Sequence, residues 1–145
     1  MRASLKLSLT RRYRFSASHR LHSASFSEEE NQRLYGKCNS PYGHGHNYVV
    51  EVTITGLVDP STGMIANLED LDRFVEREVV EAFDCKYLNE ELPEFLTTVP
   101  TTENVVREIF GRLKNFPAAR LERVRVEETS KNSFEYSAEP SGDVP

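Results

Sequence analysis

The chain has 145 residues, room for one compact domain and little more. Eighteen Lys plus Arg against 23 Asp plus Glu leave a formal net charge of -5 without any basic tract, which excludes a nucleic-acid partner held by overall charge. No apolar run approaches the roughly 20 residues of a membrane span, and the first twenty residues interleave Arg2, Lys6, Arg11, Arg12 and Arg14 with apolar positions where a secretory signal needs an unbroken apolar stretch, so a cytoplasmic protein without a membrane partner is expected.

Residues 5–19 alternate with period two, placing Leu5, Leu7, Leu9, Tyr13, Phe15, Ala17 and His19 on one side of a long half-buried strand. From 22 to 43 the pattern dissolves into Ser, Glu, Asn, Gly and Pro, a loop long enough to suggest function, with room for a helical turn around Glu28 to Leu34. Period two returns at His44, with His46, Tyr48, Val50, Val52 and Ile54 on one face of a second strand that ends near Gly56. Asp59-Pro60-Ser61-Thr62-Gly63 has turn chemistry.

Asn67 then caps a helix in which Leu68, Leu71, Phe74, Val75, Val79 and Ala82 recur three and four apart. Residues 83–100 read as irregular, because Pro93 and Pro100 bar a continuous helix. Thr101 or Thr102 caps a second helix carrying Val105, Val106, Ile109, Phe110 and Leu113, which stops before Pro117. Leu121 to Thr129 alternates again, and Phe134 to Tyr136 forms a short closing strand after a Ser130–Ser133 turn. The expected fold is therefore α+β, a four-stranded antiparallel sheet with two helices on one face in the order β-β-α-α-β-β. One domain is expected over residues 1–137, with a disordered tail over 138–145.

His44-Gly45-His46 is the sharpest local signal, because residues two apart in a strand project from the same face and their imidazoles can reach one ion. His19 lies at the end of the first strand on its apolar parity, where a neighbouring strand can bring it to the same ion. Three histidines leave a fourth position open, as in a catalytic zinc site; the alternative is a chance pair. His22 falls in loop sequence and reads as a solvent histidine or one standing behind the ligands. Cys38, six residues before His44, is either a small buried hydrophobe or a thiolate stabilised by a nearby cation. Glu128 shares the parity of Val124 and Val126 and so points where apolar residues point. A buried carboxylate needs a partner such as the paired N–H donors of an amino-pyrimidinone ring, unless the strand ends and the acid reaches solvent. Asp84 can equally be a plain helix-exit residue.

With these residues assembled, the chain resembles the 6-pyruvoyl tetrahydropterin synthase family from about Arg12 to Tyr136. The matching stretches are Phe15-Ser16-Ala17-Ser18-His19-Arg20-Leu21, Gly36-Lys37-Cys38-Asn39 and Gly43-His44-Gly45-His46-Asn47-Tyr48, followed by Asp59-Pro60, Thr62-Gly63-Met64, Thr101-Thr102-Glu103-Asn104-Val105 and Glu128-Thr129. The resemblance implies a tunnelling fold assembled as a homohexamer of two trimers, with active sites at subunit boundaries. It implies a Zn2+ ion on His19, His44 and His46, proton removal by Cys38, and a pterin anchored by Glu128 in a pocket lined by Thr101, Thr102 and Glu103. The implied reaction converts 7,8-dihydroneopterin triphosphate to 6-pyruvoyl-tetrahydropterin with loss of triphosphate, and Arg20, Lys37 or Lys86 are candidates to meet that triphosphate. The catalytic set implied is Cys38, Asp84, Cys85 and Glu128.

One position departs from the family. Asp84-Cys85-Lys86 stands where the family has Asp-His, so Cys85 replaces the histidine of the proton-transfer dyad. An imidazole with an ordinary pKa of about 6.5 exchanges protons near neutrality more readily than a thiol of about 8.5, so a slowed or altered enzyme is expected. Three other readings stand beside this one: a 6-carboxy-tetrahydropterin synthase of the deazaguanine pathway, a zinc-holding pterin-binding protein without turnover, and a structural zinc domain with a fourth protein ligand. If Cys38 and Cys85 both face the site, as the resemblance implies, oxidation can join them in a disulfide.

Overall fold

The computed structural model describes residues 6–139; Leu5, the expected start of the first strand, and residues 140–145 of the expected tail lie outside the described residues. Strand β1 (Lys6–His19) pairs antiparallel along its whole length with β2 (His44–Leu57), from Lys6 opposite Leu57 to His19 opposite His44. β2 pairs in turn with β4 (Arg120–Thr129), and β4 with β5 (Asn132–Ser137). The expected alternation holds from Arg12 onward, with Tyr13, Phe15, Ala17 and His19 buried while Arg12, Arg14 and Ser16 are exposed, but Leu7, expected on the buried side, is exposed and Leu9 is half-buried.

The sheet has five strands, not the four expected, and is not wholly antiparallel. Its order is β3-β1-β2-β4-β5, and β3 (Lys86–Tyr87) runs parallel to β1 at Ala17 and Ser18. Two residues show no alternation, so β3 has no periodic signature; it forms because the chain is clamped just before it. Asp84 Oδ1 accepts the Ser16 N–H at 2.9 Å, and the Cys85 N–H donates to the Ser16 carbonyl at 2.6 Å.

Helix α1 (Glu28–Tyr35) begins where the Ser27 hydroxyl accepts the Glu30 N–H and three glutamates occupy the first turn, where the helix dipole favours negative charge. The fully buried Asn31 ties the preceding loop to it, accepting from Ser23 N–H and donating to the carbonyls of Ser23, Phe26 and Ser27. A 3-10 turn over Gly36–Asn39 carries Cys38.

Helix α2 (Leu68–Val75), capped by the Asn67 side-chain Oδ1, which accepts the Glu69 and Asp70 N–H groups, continues through a π-helical turn (Glu76–Val80) into α3 (Glu81–Phe83). The π turn interrupts the regular helix expected here. Arg112 Nη1 donates to the Glu78 carbonyl inside that turn, and the Arg112 guanidinium lies 5.1 Å above the Phe83 ring. Residues 83–100, expected to be irregular, contain β3, α4 (Leu88–Glu91) and a 3-10 turn (Pro93–Phe95). Helix α5 (Thr102–Leu113) is capped by Thr101, as expected.

Leu71, Val75 and Val79 from the α2 segment and Val105, Val106, Ile109 and Leu113 from α5 cover the buried face of the sheet. Ala138, expected in the tail, still donates its N–H to the Glu122 carbonyl at 2.8 Å. Among the described residues no helix is long and apolar enough to cross a membrane.

Candidate metal centre and adjoining acid

The end of the β1–β2 ladder sets His19 directly opposite His44 and diagonal to His46. Nε2 of His19 and Nε2 of His46 are 3.2 Å apart, and the rings of His44 and His46 meet edge-on with centroids 4.6 Å apart. The three expected imidazoles are therefore neighbours. The tightest set of donor atoms, however, pairs His19 and His46 with Cys38, all within 4.8 Å of one another.

The protonation of His19 follows from its surroundings. Its Nδ1 lies 2.8 Å from the Pro100 carbonyl, which can only accept, so Nδ1 carries the proton and Nε2 offers a lone pair to the cluster. Burial holds the pKa of both His19 and His46 below the ordinary histidine value, against the opposing pull of the Glu128 carboxylate. Neutral imidazoles and a thiol form a nitrogen–sulfur donor set, and that chemistry suits a zinc ion.

Backbone bonds fix Cys38 in place. The Leu21 N–H donates to the Cys38 carbonyl at 2.7 Å, while the Asn39 amide donates to the Leu21 carbonyl at 2.8 Å and meets His22 Nδ1 at 3.2 Å. Arg20 Nε donates to the Asn39 carbonyl. Arg20 and His22 thus help hold the turn that carries the thiol. Burial, with Glu128 adding to it, pushes the Cys38 thiol pKa up.

Glu128 turns inward on the side of the fully buried Val124 and Val126, where the register between β4 and β5 shifts. Its Oε2 accepts the hydroxyl of the buried Thr102 and stands 3.9 Å from His46 Nε2. Thr101 caps α5 beside it, and Glu103 is exposed in the first turn. Pro100, Thr101 and Thr102 are consecutive, so one short segment touches both the histidine cluster and the acid.

Asp84 and Cys85 lie elsewhere in the chain. The exposed Cys85, at φ 60, lines a groove with Ser16, Ser18, Gly45 and Asn47, which His46 also borders. Cys38 and Cys85 are both free thiols, so the disulfide considered above is absent. Lys37 is exposed and Lys86 half-buried.

Sequence reasoning overlooked two contributors. The Pro100 carbonyl is a backbone atom and leaves no side-chain signal; the Tyr48 hydroxyl, 3.4 Å from His19 Nδ1, was legible only as one more residue on the apolar parity. Gly43 is a third constraint. It sits at φ +85, and a Cβ there would come within 3.1 Å of the Tyr87 ring and 3.3 Å of the His19 carbonyl. Gly43→Ala is expected to cost about 1–3 kcal/mol in urea unfolding and to weaken zinc binding, since His44 follows directly.

The sequence model of the family described as 6-pyruvoyl tetrahydropterin synthase matches residues 8–139. The chain is 48% identical over 132 residues to 6-pyruvoyl tetrahydrobiopterin synthase of Poecilia reticulata, covering 90% of each chain. It is equally 48% identical to the synthase of that name from Homo sapiens, covering 90% of this chain and 91% of the human one. The solved structure of Caenorhabditis elegans 6-pyruvoyl tetrahydropterin synthase superposes with a TM-score of 0.89 at 40% identity, covering 96% of this chain and all of that one.

Proposed function

The chain belongs to the 6-pyruvoyl tetrahydropterin synthase family, and from that premise we propose that it is a zinc-dependent carbon–oxygen lyase of tetrahydrobiopterin synthesis. It converts 7,8-dihydroneopterin triphosphate to 6-pyruvoyl-tetrahydropterin and releases triphosphate. The observation that carries this reading is the juxtaposition of the His19–Cys38–His46 donors with the inward Glu128 carboxylate.

His19, His44 and His46 would hold the ion, leaving Cys38 free beside it, and the ion when bound supplies Lewis acidity that loosens the C–H and O–H protons of the substrate side chain. Glu128, oriented by Thr102, receives the paired N–H donors of the pterin ring and fixes which end of the molecule faces Cys38. Cys38 removes a proton from the side-chain carbon, and an acid–base group returns one to the ring. Electrons shift within the substrate, so the ring is reduced as the side chain is oxidised. Arg20, Lys37 and Lys86 are the candidates to meet the departing triphosphate.

In this reading Asp84 and Cys85, which are not among the clustered donors of their own chain, serve the site of a neighbouring copy in a homohexamer of two trimers. Incubating the purified protein with 7,8-dihydroneopterin triphosphate tests the assignment: 6-pyruvoyl-tetrahydropterin and triphosphate appear by chromatography and mass spectrometry. Release of acetaldehyde would assign the 6-carboxy reaction instead, and a pterin retained without loss of triphosphate would assign a binding protein.

A further inference from the structure

Tyr48 is completely buried and stacks on Phe15, the ring centroids being 5.0 Å apart at 22°. Its ring also lies edge-on to His46 at 5.6 Å. Its hydroxyl reaches His19 Nδ1 at 3.4 Å, but that nitrogen gives its proton to the Pro100 carbonyl at 2.8 Å. The hydroxyl therefore receives only the long branch of a shared bond, and among the described residues it has no other hydrogen-bond partner. A position required only to fill the core is better served by phenylalanine, which keeps the stack and buries no underpaired hydroxyl.

Building on the metal reading above, we propose that Tyr48 is a positioning residue of the metal centre. Its hydroxyl braces the Nδ1 edge of His19 and keeps the ring turned so that Nε2 faces His46 and Cys38. Pro100 fixes which nitrogen is protonated, whereas Tyr48 limits how far the ring can swing about that bond. Partners behind a metal ligand typically change metal affinity by 10–100-fold when removed.

The test is Tyr48→Phe in the full chain, read by zinc titration against a chromophoric chelator and by thermal unfolding of the metal-free protein. The zinc dissociation constant is expected to rise about tenfold, while the metal-free melting temperature stays level or rises. A merely structural role predicts the opposite pairing. Ile54→Val, in the same core at the far end of β2, should lower the melting temperature and leave the zinc constant unchanged. A zinc constant for Tyr48→Phe within twofold of wild type overturns the brace alone, as does an equal loss in Ile54→Val. A wild-type chain that takes up no zinc overturns the metal reading itself, and the brace with it.

Discussion

Replacing Cys85 by histidine is expected to raise turnover of 7,8-dihydroneopterin triphosphate at pH 7 by about 10²–10⁴-fold, the usual contribution of a well-placed acid–base group. The backbone is prepared for the exchange. Asp84 and Cys85 grip both sides of the Ser16 peptide, through the carboxylate and the N–H respectively, and these two bonds hold residue 85 in the left-handed region. Histidine is among the residues that occupy that region more readily than most, so the variant should keep its fold and its melting temperature. An imidazole there titrates near neutrality, as an ordinary thiol does not. A rate that rises while the melting temperature stays put identifies a restored proton carrier. An unchanged rate in a chain that still forms 6-pyruvoyl-tetrahydropterin would show that position 85 does not limit the reaction.

Much of the site was legible because strands convert sequence parity directly into geometry. His19 and His46 lie on the buried parity of two adjacent strands, and Glu128 on that of a third, so the alternation alone directs all three to one side of the sheet. The ends of α5 were legible from its Thr101 cap and from Pro117, each acting through local chemistry. What escaped depends on contacts between distant residues. Strand β3 exists through the bonds of Asp84 and Cys85 to Ser16, some 68 positions away, and the π turn is accompanied by the bond from Arg112 to the Glu78 carbonyl. Pro100 acts on His19 across 81 positions through an atom that every residue possesses. Cys38 had two readings in the sequence, a packed hydrophobe or a thiol beside a cation; only the fold shows it held by Leu21 at the edge of the histidine pair.

Chelating the metal is expected to lower turnover below about 10⁻³ of its starting value, because a Lewis acid contributes several kcal/mol to the transition state, and restoring zinc should restore the rate. The protons released on reloading then identify the ligands. At pH 8 His19 and His46 are neutral, their pKa values being lowered by burial from the ordinary 6.5, and they give up nothing on binding. Cys38 behaves differently, since burial and Glu128 raise its pKa above the ordinary 9.0 and it must lose a proton to ligate. Zinc held by His19, Cys38 and His46 therefore releases the Cys38 proton at pH 8 in addition to any given up by a metal-bound water, and Cys38→Ser lowers the count in a weakly buffered titration by one. Where the three histidines hold the ion instead, Cys38→Ser leaves the number of protons released unchanged. The same lowered values set the acid limit of the metal-free fold. Below about 6.5 the unfolded chain takes up protons that the folded His19 and His46 refuse, so stability falls as the pH drops through that value toward their lowered pKa values, and zinc affinity falls with it. Urea unfolding at pH 7.5 and 5.5 measures the first effect. Full turnover in chelated protein whose zinc content is nil by elemental analysis would remove the metal from the mechanism.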